Sequence, residues 1–213
     1  VTSIRDYTFR NCSSLTSVNI PEGVTTIGTF AFGNCSSLTS ITIPESVTNI
    51  GPSAFNGCSA LISVNIPEGV TSISNSTFSN CSSLTSITIP ESVTTIGYQA
   101  FYRCSSLTSI TIPASVTTIG NNAFYRCSAL TSVTLLRDNL TIEMFAQSQF
   151  AGTQAVFNIT STQNAISLTS DNKGIMNLAQ TELIAYPGAS GHIDIPASVT
   201  TIGNNAFRDC SSL

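Results

Sequence analysis

The sequence predicts a solenoid: a stack of short parallel strands in a chain of mostly β and turn structure with little helix. Three observations carry this. Cys12, Cys35, Cys58, Cys81, Cys104 and Cys127 fall 23 residues apart without exception. A fixed period in the twenties marks coils that cannot bury their apolar side alone and share one core with their neighbours. Apolar residues also line up at the same period, with Leu15, Leu38, Leu61, Leu84, Leu107 and Leu130 in one column and Phe9, Phe32, Phe55, Phe78, Phe101 and Phe124 in another. Finally, each unit carries one alternating segment closed by proline. In the unit 104–126, Ile110, Thr111 and Ile112 alternate as a half-buried strand does, and Pro113 ends it because proline has no N–H for the ladder.

The rest of each unit follows in order. Val116 and Ile119 form a second apolar pair in the β-branched run VTTI. Gly120 then supplies a backbone free to take positive φ at the next bend, and Ala123 and Phe124 close the coil before Cys127 opens another. Residues 1–12 are the second half of such a unit, and 12–126 hold five of them, the loosest departing at Ile62 and Ser74. The sixth begins at Cys127 and keeps Leu130, Val133 and Leu135.

Residues 136–191 then lose both the cysteine and the I-P-x-x-V pattern. Within them FAGT at 150–153 stands where AFxxC is expected, with Thr153 for cysteine, and 157–159 reads as the next strand. A short helical turn fits 143–150, and the apolar runs 174–178 and 182–186 read as a β-hairpin before the Pro187-Gly188 turn. The strand pattern returns at 192–196, and 196–207 is identical to 113–124. The organisation is therefore a regular array over 1–135, an irregular insertion with a degenerate repeat over 136–191, and a resumed repeat over 192–213, all in one domain. Because the chain opens in mid-unit and stops four residues into another, it is expected to be part of a longer array.

The L-x-x-I-x-I segment preceded by cysteine resembles a leucine-rich repeat. The fuller unit, SLTSITIPxxVTxIGxxAFxxC, resembles the BspA-like branch of that family across 1–135 and 192–213, and TELIAYP at 181–187 is similar to segments that interrupt such arrays. The resemblance implies an α/β leucine-rich-repeat solenoid, a curved, right-handed horseshoe. It also implies secreted or surface-anchored proteins of mouth and gut anaerobes and of some parasitic protists, some of which bind host matrix or plasma proteins.

Composition narrows the alternatives. Charged residues are only 8%, but 41% apolar content in strict columns argues against disorder. A net charge of −4 with seven Lys and Arg gives no electrostatic footprint for nucleic acid or an anionic membrane. There is no run of apolar residues long enough for a spanning helix and no signal peptide. Cysteines in one column point the same way, which disfavours the disulfide dihedral, so the seven thiols are expected to be free. The C-x-x-C pairing of structural zinc is absent, and no metal or cofactor is expected.

Several constellations merit comparison. His192, the one histidine, has only Asp194 as a nearby partner, and both read as solvated strand residues rather than catalytic ones. Glu22, Glu45, Glu68 and Glu91 form a column in which two stacked carboxylates could share a Ca²⁺, but Ala114 and Ala197 break it, as suits a solvated edge. Sequons occur at Asn11, Asn34, Asn75, Asn80, Asn139 and Asn158, three of them created by the NCS at the repeat junction. The Ser-x-Thr pairs 40/42, 86/88, 109/111 and 132/134 place hydroxyl columns on the outer strand face. Tyr98, Tyr102, Arg103, Tyr125 and Arg126 cluster on the non-strand side of adjacent coils, where earlier coils hold Asn56, Gly57, Ser79 and Asn80. Tyrosine and arginine are favoured interface anchors, so this cluster is the candidate partner-binding site, set against plain variation at exposed positions. No residues combine into a catalytic site. The expectation is a secreted or cell-surface module for protein interaction or adhesion, with host matrix or plasma proteins as candidate partners and no enzymatic role. The alternative is a spacer that holds another domain away from the cell surface.

Overall fold

The structure is a computed structural model describing residues 1–138, 140–160 and 165–213. It is a β-solenoid whose coils repeat the 23-residue unit, with two short strands per coil. The first series comprises Ser40–Ile41, Ser63–Asn65, Ser86–Thr88, Ser109–Ile112, Ser132–Leu135 and Val156–Ile159. Within it the paired strands are parallel, with Ser63 opposite Ser86 and Ser132 opposite Ser109. Their apolar residues face inward while serine and threonine face out, because strand side chains alternate.

The VTTI run forms a second parallel series that the pattern alone leaves unassigned. It includes Thr26–Ile27, Asn49–Ile50, Ser72–Ile73, Thr95–Ile96 and Thr118–Ile119. Two-residue strands give little periodicity to read, yet stacking satisfies them: Thr95 pairs with Thr118 and Ile96 with Ile119. The remaining turns are also bonded from coil to coil. Phe32, Phe55, Phe78 and Phe101 donate their N–H groups to Ala54, Thr77, Ala100 and Ala123 at 2.8–2.9 Å. Turns that would leave polar backbone unpaired in an isolated coil are thereby completed by the neighbour.

The core is built from the columns. The rings from Phe9 to Phe124, and then Phe150, stack with centroids 5.0–5.6 Å apart and planes within 10°. Beside them, Cys35, Cys58, Cys81, Cys104 and Cys127 donate S–H to the carbonyls of Phe9, Phe32, Phe55, Phe78 and Phe101, each 26 residues earlier, at 3.1–3.2 Å. All seven cysteines are free thiols; Cys12 is exposed and Cys210 partly so. Burial pushes the Cys58 thiol up to about 12 and those of Cys81 and Cys104 well above the ordinary value, with the neighbouring thiol adding to it.

The role assigned to Gly120 is corrected. Its φ is not positive; its column is glycine because successive coils touch there, and a Cβ would lie 2.5 Å from the Tyr98 nitrogen. Positive φ falls elsewhere, mostly in two columns. One contains Ser53, Ser76, Gln99 and Asn122, and the other contains Asn11, Asn34, Gly57, Asn80, Arg103, Arg126, Gly152 and Asp209.

The insertion continues the stack before it departs. Phe150 extends the ring column, Phe157 meets it edge-on at 5.3 Å, and Phe145 packs against both. The short helical turn is a 3-10 turn confined to Ile142–Met144. Ile166–Leu168 and Ile175–Asn177 then run antiparallel, followed by Glu182–Ala185, so the anticipated hairpin is present. Glu182–Ala185 is parallel to Thr201–Ile202, which returns the chain to the repeat. The loop is pinned at Asp171, which accepts hydrogen bonds from Thr169 and Tyr186.

Candidate functional site

The turn between the phenylalanine and cysteine columns carries two of the chain's five tyrosines and four of its arginines. The position after phenylalanine holds Arg10, Tyr102, Tyr125 and Arg208, and the next holds Arg103, Arg126 and Asp209. Stacking sets like residues side by side, so Tyr102 and Tyr125 lie with ring centroids 5.5 Å apart and planes 10° from parallel. The Arg103 guanidinium lies over Tyr102 at 5.2 Å, and that of Arg126 over Tyr125 at 5.3 Å. A cation over an aromatic face is attracted by the ring quadrupole and keeps its N–H edge available.

Four of the five expected residues are thus brought together, but they do not form one uniform surface. Tyr125 is only 8% exposed, a correction to its placement on the surface. The resumed repeat covers it: Arg208 lies over its ring at 4.9 Å, and Arg126 Nη2 lies 3.2 Å from Asp209 Oδ1. Hydrogen bonding from the Tyr125 hydroxyl, then from Arg126, holds the Asp209 carboxyl below the usual carboxylate range against the opposing effect of burial. The intervening coil permits this clasp because it presents only Ala151 and Gly152 at these positions. A Cβ on Gly152 would lie 3.1 Å from Arg126 Cγ.

Arg103 is exposed and, among the described residues, forms no ion pair. It borders a groove of about 750 Å³ with Asn80, Ser82, Ser105, Arg126 and Asp209. Tyr98 is 46% exposed and stands apart, its ring stacking on neither Tyr102 nor Tyr125; its N–H donates to Asn75 Oδ1 at 2.9 Å. Sequence reasoning missed the Arg208–Asp209 clasp and a second cluster, in which Arg10 lies over Phe30 and Tyr7 at 4.9 and 5.4 Å. Their shared columns with Tyr102 and Arg103 are the signal that could have found Arg10, Arg208 and Asp209, but no pattern gives the distance across the insertion.

The other candidates stand in solvent. His192 Nε2 and Asp194 Oδ1 are 3.2 Å apart with side chains 89% and 97% exposed, unlike a base held by a buried carboxylate. Glu22, Glu45, Glu68 and Glu91 are exposed, and among the described residues no three His, Cys, Asp or Glu gather as metal ligands. The outer hydroxyls of Ser40, Thr42, Ser86, Thr88, Ser109 and Thr111 are exposed. Asn75 Oδ1 is engaged with Tyr98, and the Asn139 sequon lies outside the described residues. No described helix is long and apolar enough to cross a membrane.

Comparison with known proteins agrees with this architecture. The model of the BspA-type leucine-rich-repeat region matches in six copies, over residues 1–105, 50–172 and 187–213. A leucine-rich cell surface protein from Faecalibacterium prausnitzii is 32% identical, with a TM-score of 0.67, the match covering 100% of this chain and 57% of that one. The T. pallidum leucine-rich-repeat protein is 34% identical over 68% of this chain and 70% of its own, with a TM-score of 0.62. A leucine-rich-repeat protein from Bacteroides ovatus, at 24% identity, shares the fold with a TM-score of 0.55 over 92% of this chain and 73% of its own. No curated protein matches. With six copies of the repeat spread over nearly its whole length, this chain belongs to the BspA-type leucine-rich-repeat family.

Proposed function

We propose that this chain is a secreted or cell-surface module that binds a protein partner, host matrix and plasma proteins being the candidate class, and that it has no enzymatic role. The carrying observation is the Tyr102–Arg103 stack, with its guanidinium exposed and its ring half-buried, in columns where the preceding coil holds Ser79 and Asn80. A rigid aromatic with a guanidinium over it is the kind of anchor that dominates interface energetics. The likeness to a cell surface protein over the whole chain supports the location. In this reading Tyr98, Tyr102 and Arg103 make contact, while Tyr125 and Arg126 form the supporting half of the patch. The regular array, the insertion over 136–191 and the resumed repeat act as one binding body.

The test compares Tyr98→Ala with Tyr102→Ala against Thr88→Ala with Thr111→Ala on a panel of immobilised matrix and plasma proteins. The tyrosine pair is expected to lose binding. Loss confined to the threonine pair would move the function to the hydroxyl face. The uniformity of that face, small hydroxyls in successive coils, favours the spacer as a second reading, and wild-type chain retained by no member of the panel would support it.

A further inference from the structure

We infer that Arg103, with Arg126 beside it, forms a carboxylate-binding site that receives an acidic segment of the partner protein. This rests on the interaction reading above and names the chemistry of the partner at the same patch.

Charge is segregated on this molecule. The chain carries a net −4, and Glu22, Glu45, Glu68 and Glu91 sit after the strand prolines. The turn after the phenylalanine column instead holds Arg10, Arg103, Arg126 and Arg208, with Asp209 as its one acid. Four of the seven Lys and Arg of an acidic chain thus lie on one edge, and complementary charge both steers and selects a partner.

The molecule itself shows a carboxylate held at this motif: in Tyr125-Arg126-Cys127 the arginine, stacked over the tyrosine ring, holds Asp209 with Nη2 3.2 Å from Oδ1. The same three residues occur one coil earlier as Tyr102-Arg103-Cys104, with the same guanidinium-over-ring stack and no carboxylate among the described residues. Stacking on the ring presets the planar guanidinium and leaves its N–H fork for an outside acceptor, the geometry that favours arginine for carboxylates.

Backbone conformation supplies an independent observation. Arg103 has φ +57° and Arg126 φ +58°, in a column where other coils place Asn34, Gly57, Asn80 and Gly152. Asparagine and glycine tolerate this left-handed region, whereas other residues held there carry a conformational cost. Arg126 has an internal partner in Asp209, but Arg103 has none among the described residues and faces the groove of about 750 Å³.

The probe is a fluorescein-labelled peptide of alternating glutamate and glycine, followed by anisotropy at low and physiological salt, with the glutamine analogue as control. The acidic peptide is expected to bind, more weakly as salt rises, and the control is not. Arg103→Asn, which installs the residue of Asn80, is expected to weaken binding about tenfold or more while the melting temperature holds or rises. Arg103→Lys should fall between them, keeping the charge but losing the planar stack. Glu45→Gln, away from the patch, should bind as wild type. Unchanged peptide binding in Arg103→Asn overturns the proposal, as does equal binding of the glutamine control. Binding of heparin with none of the glutamate peptide also overturns it, assigning the site to sulfate instead. If Tyr102→Ala abolishes capture by the immobilised proteins while Arg103→Asn leaves peptide binding intact, this inference fails and the interaction reading stands. If the hydroxyl face carries that capture while Arg103 still governs the peptide, the interaction reading fails and the carboxylate site stands.

Discussion

Phe101→Ala tests whether the ring column holds the stack together. Phe101 is fully buried between Phe78, at 5.6 Å, and Phe124, at 5.1 Å. Removing the ring forfeits burial worth about 1.5–3 kcal/mol for a large apolar side chain. A residual cavity of about 50–100 Å³ adds about 1–2 kcal/mol at ~24 cal/mol per Å³. The sum, about 3–5 kcal/mol, agrees with the range for buried Phe→Ala changes. Little relaxation is expected, since the rings on both sides are held by their own coils, whose backbones remain bonded to one another. Phe9→Ala is the internal control. Phe9 is only partly buried and, among the described residues, stacks on Phe32 alone, so its loss should cost about half as much. Urea unfolding followed by far-UV circular dichroism measures both. A smaller m-value in Phe101→Ala would show the array uncoupling into two halves, as repeat arrays can. A Phe101→Ala loss under about 1 kcal/mol, or one equal to that of Phe9→Ala, would refute the shared-spine argument.

Further predictions follow from the same packing. In the native protein a thiol reagent at mildly alkaline pH should modify Cys12 quickly and Cys210 partly, reaching all seven thiols only in denaturant; rapid reaction of Cys58, Cys81 or Cys104 would contradict their burial. Burial raises these thiol pKa values, so their contribution to stability is complete below about 9 and is lost as pH rises from there towards about 12 for Cys58, which alkaline melts should show. Gly120→Ala should cost about 1–3 kcal/mol in urea unfolding, because its Cβ meets backbone and cannot relax cheaply. Ser74, in the same column, is accommodated by donating its hydroxyl to the Ile50 carbonyl at 2.7 Å, which alanine cannot do. Asp209→Asn should lower stability by under about 1 kcal/mol and increase hydrogen exchange in 192–213. Because the Asp209 pKa is depressed, the stabilisation is present above the ordinary carboxylate value and is lost as pH falls through the depressed one. Exchange unchanged both by the substitution and by acid would show that the clasp does not hold the last coil.

Periodicity carries whatever every coil must solve alike. A column such as Phe32 to Phe124 is legible because every coil solves the same burial problem with the same residue, and stacking turns sequence register into spatial register. The proline-ended strand, the free thiols and the hairpin in the insertion were legible for similar local reasons: a lost N–H, one-column placement, and two apolar runs with a turn. The second strand series was not, because two residues give too short a period and their partners lie a whole coil away. Nor was the reason for Gly120, since close approach between coils leaves the same glycine as a positive φ does.

The candidate site divides the same way. Sequence alone placed Tyr102, Arg103, Tyr125 and Arg126 on neighbouring coils, because a 23-residue offset is one step along the stack. Only the tertiary structure separated them into a clasped pair and an open one. Arg126 and Asp209 are 83 residues apart, and their meeting depends on how the insertion folds and on Ala151 and Gly152 leaving room between them. Periodicity cannot encode that contact: it crosses the one segment where the period fails, and it is set by packing between elements rather than by any local preference of the chain.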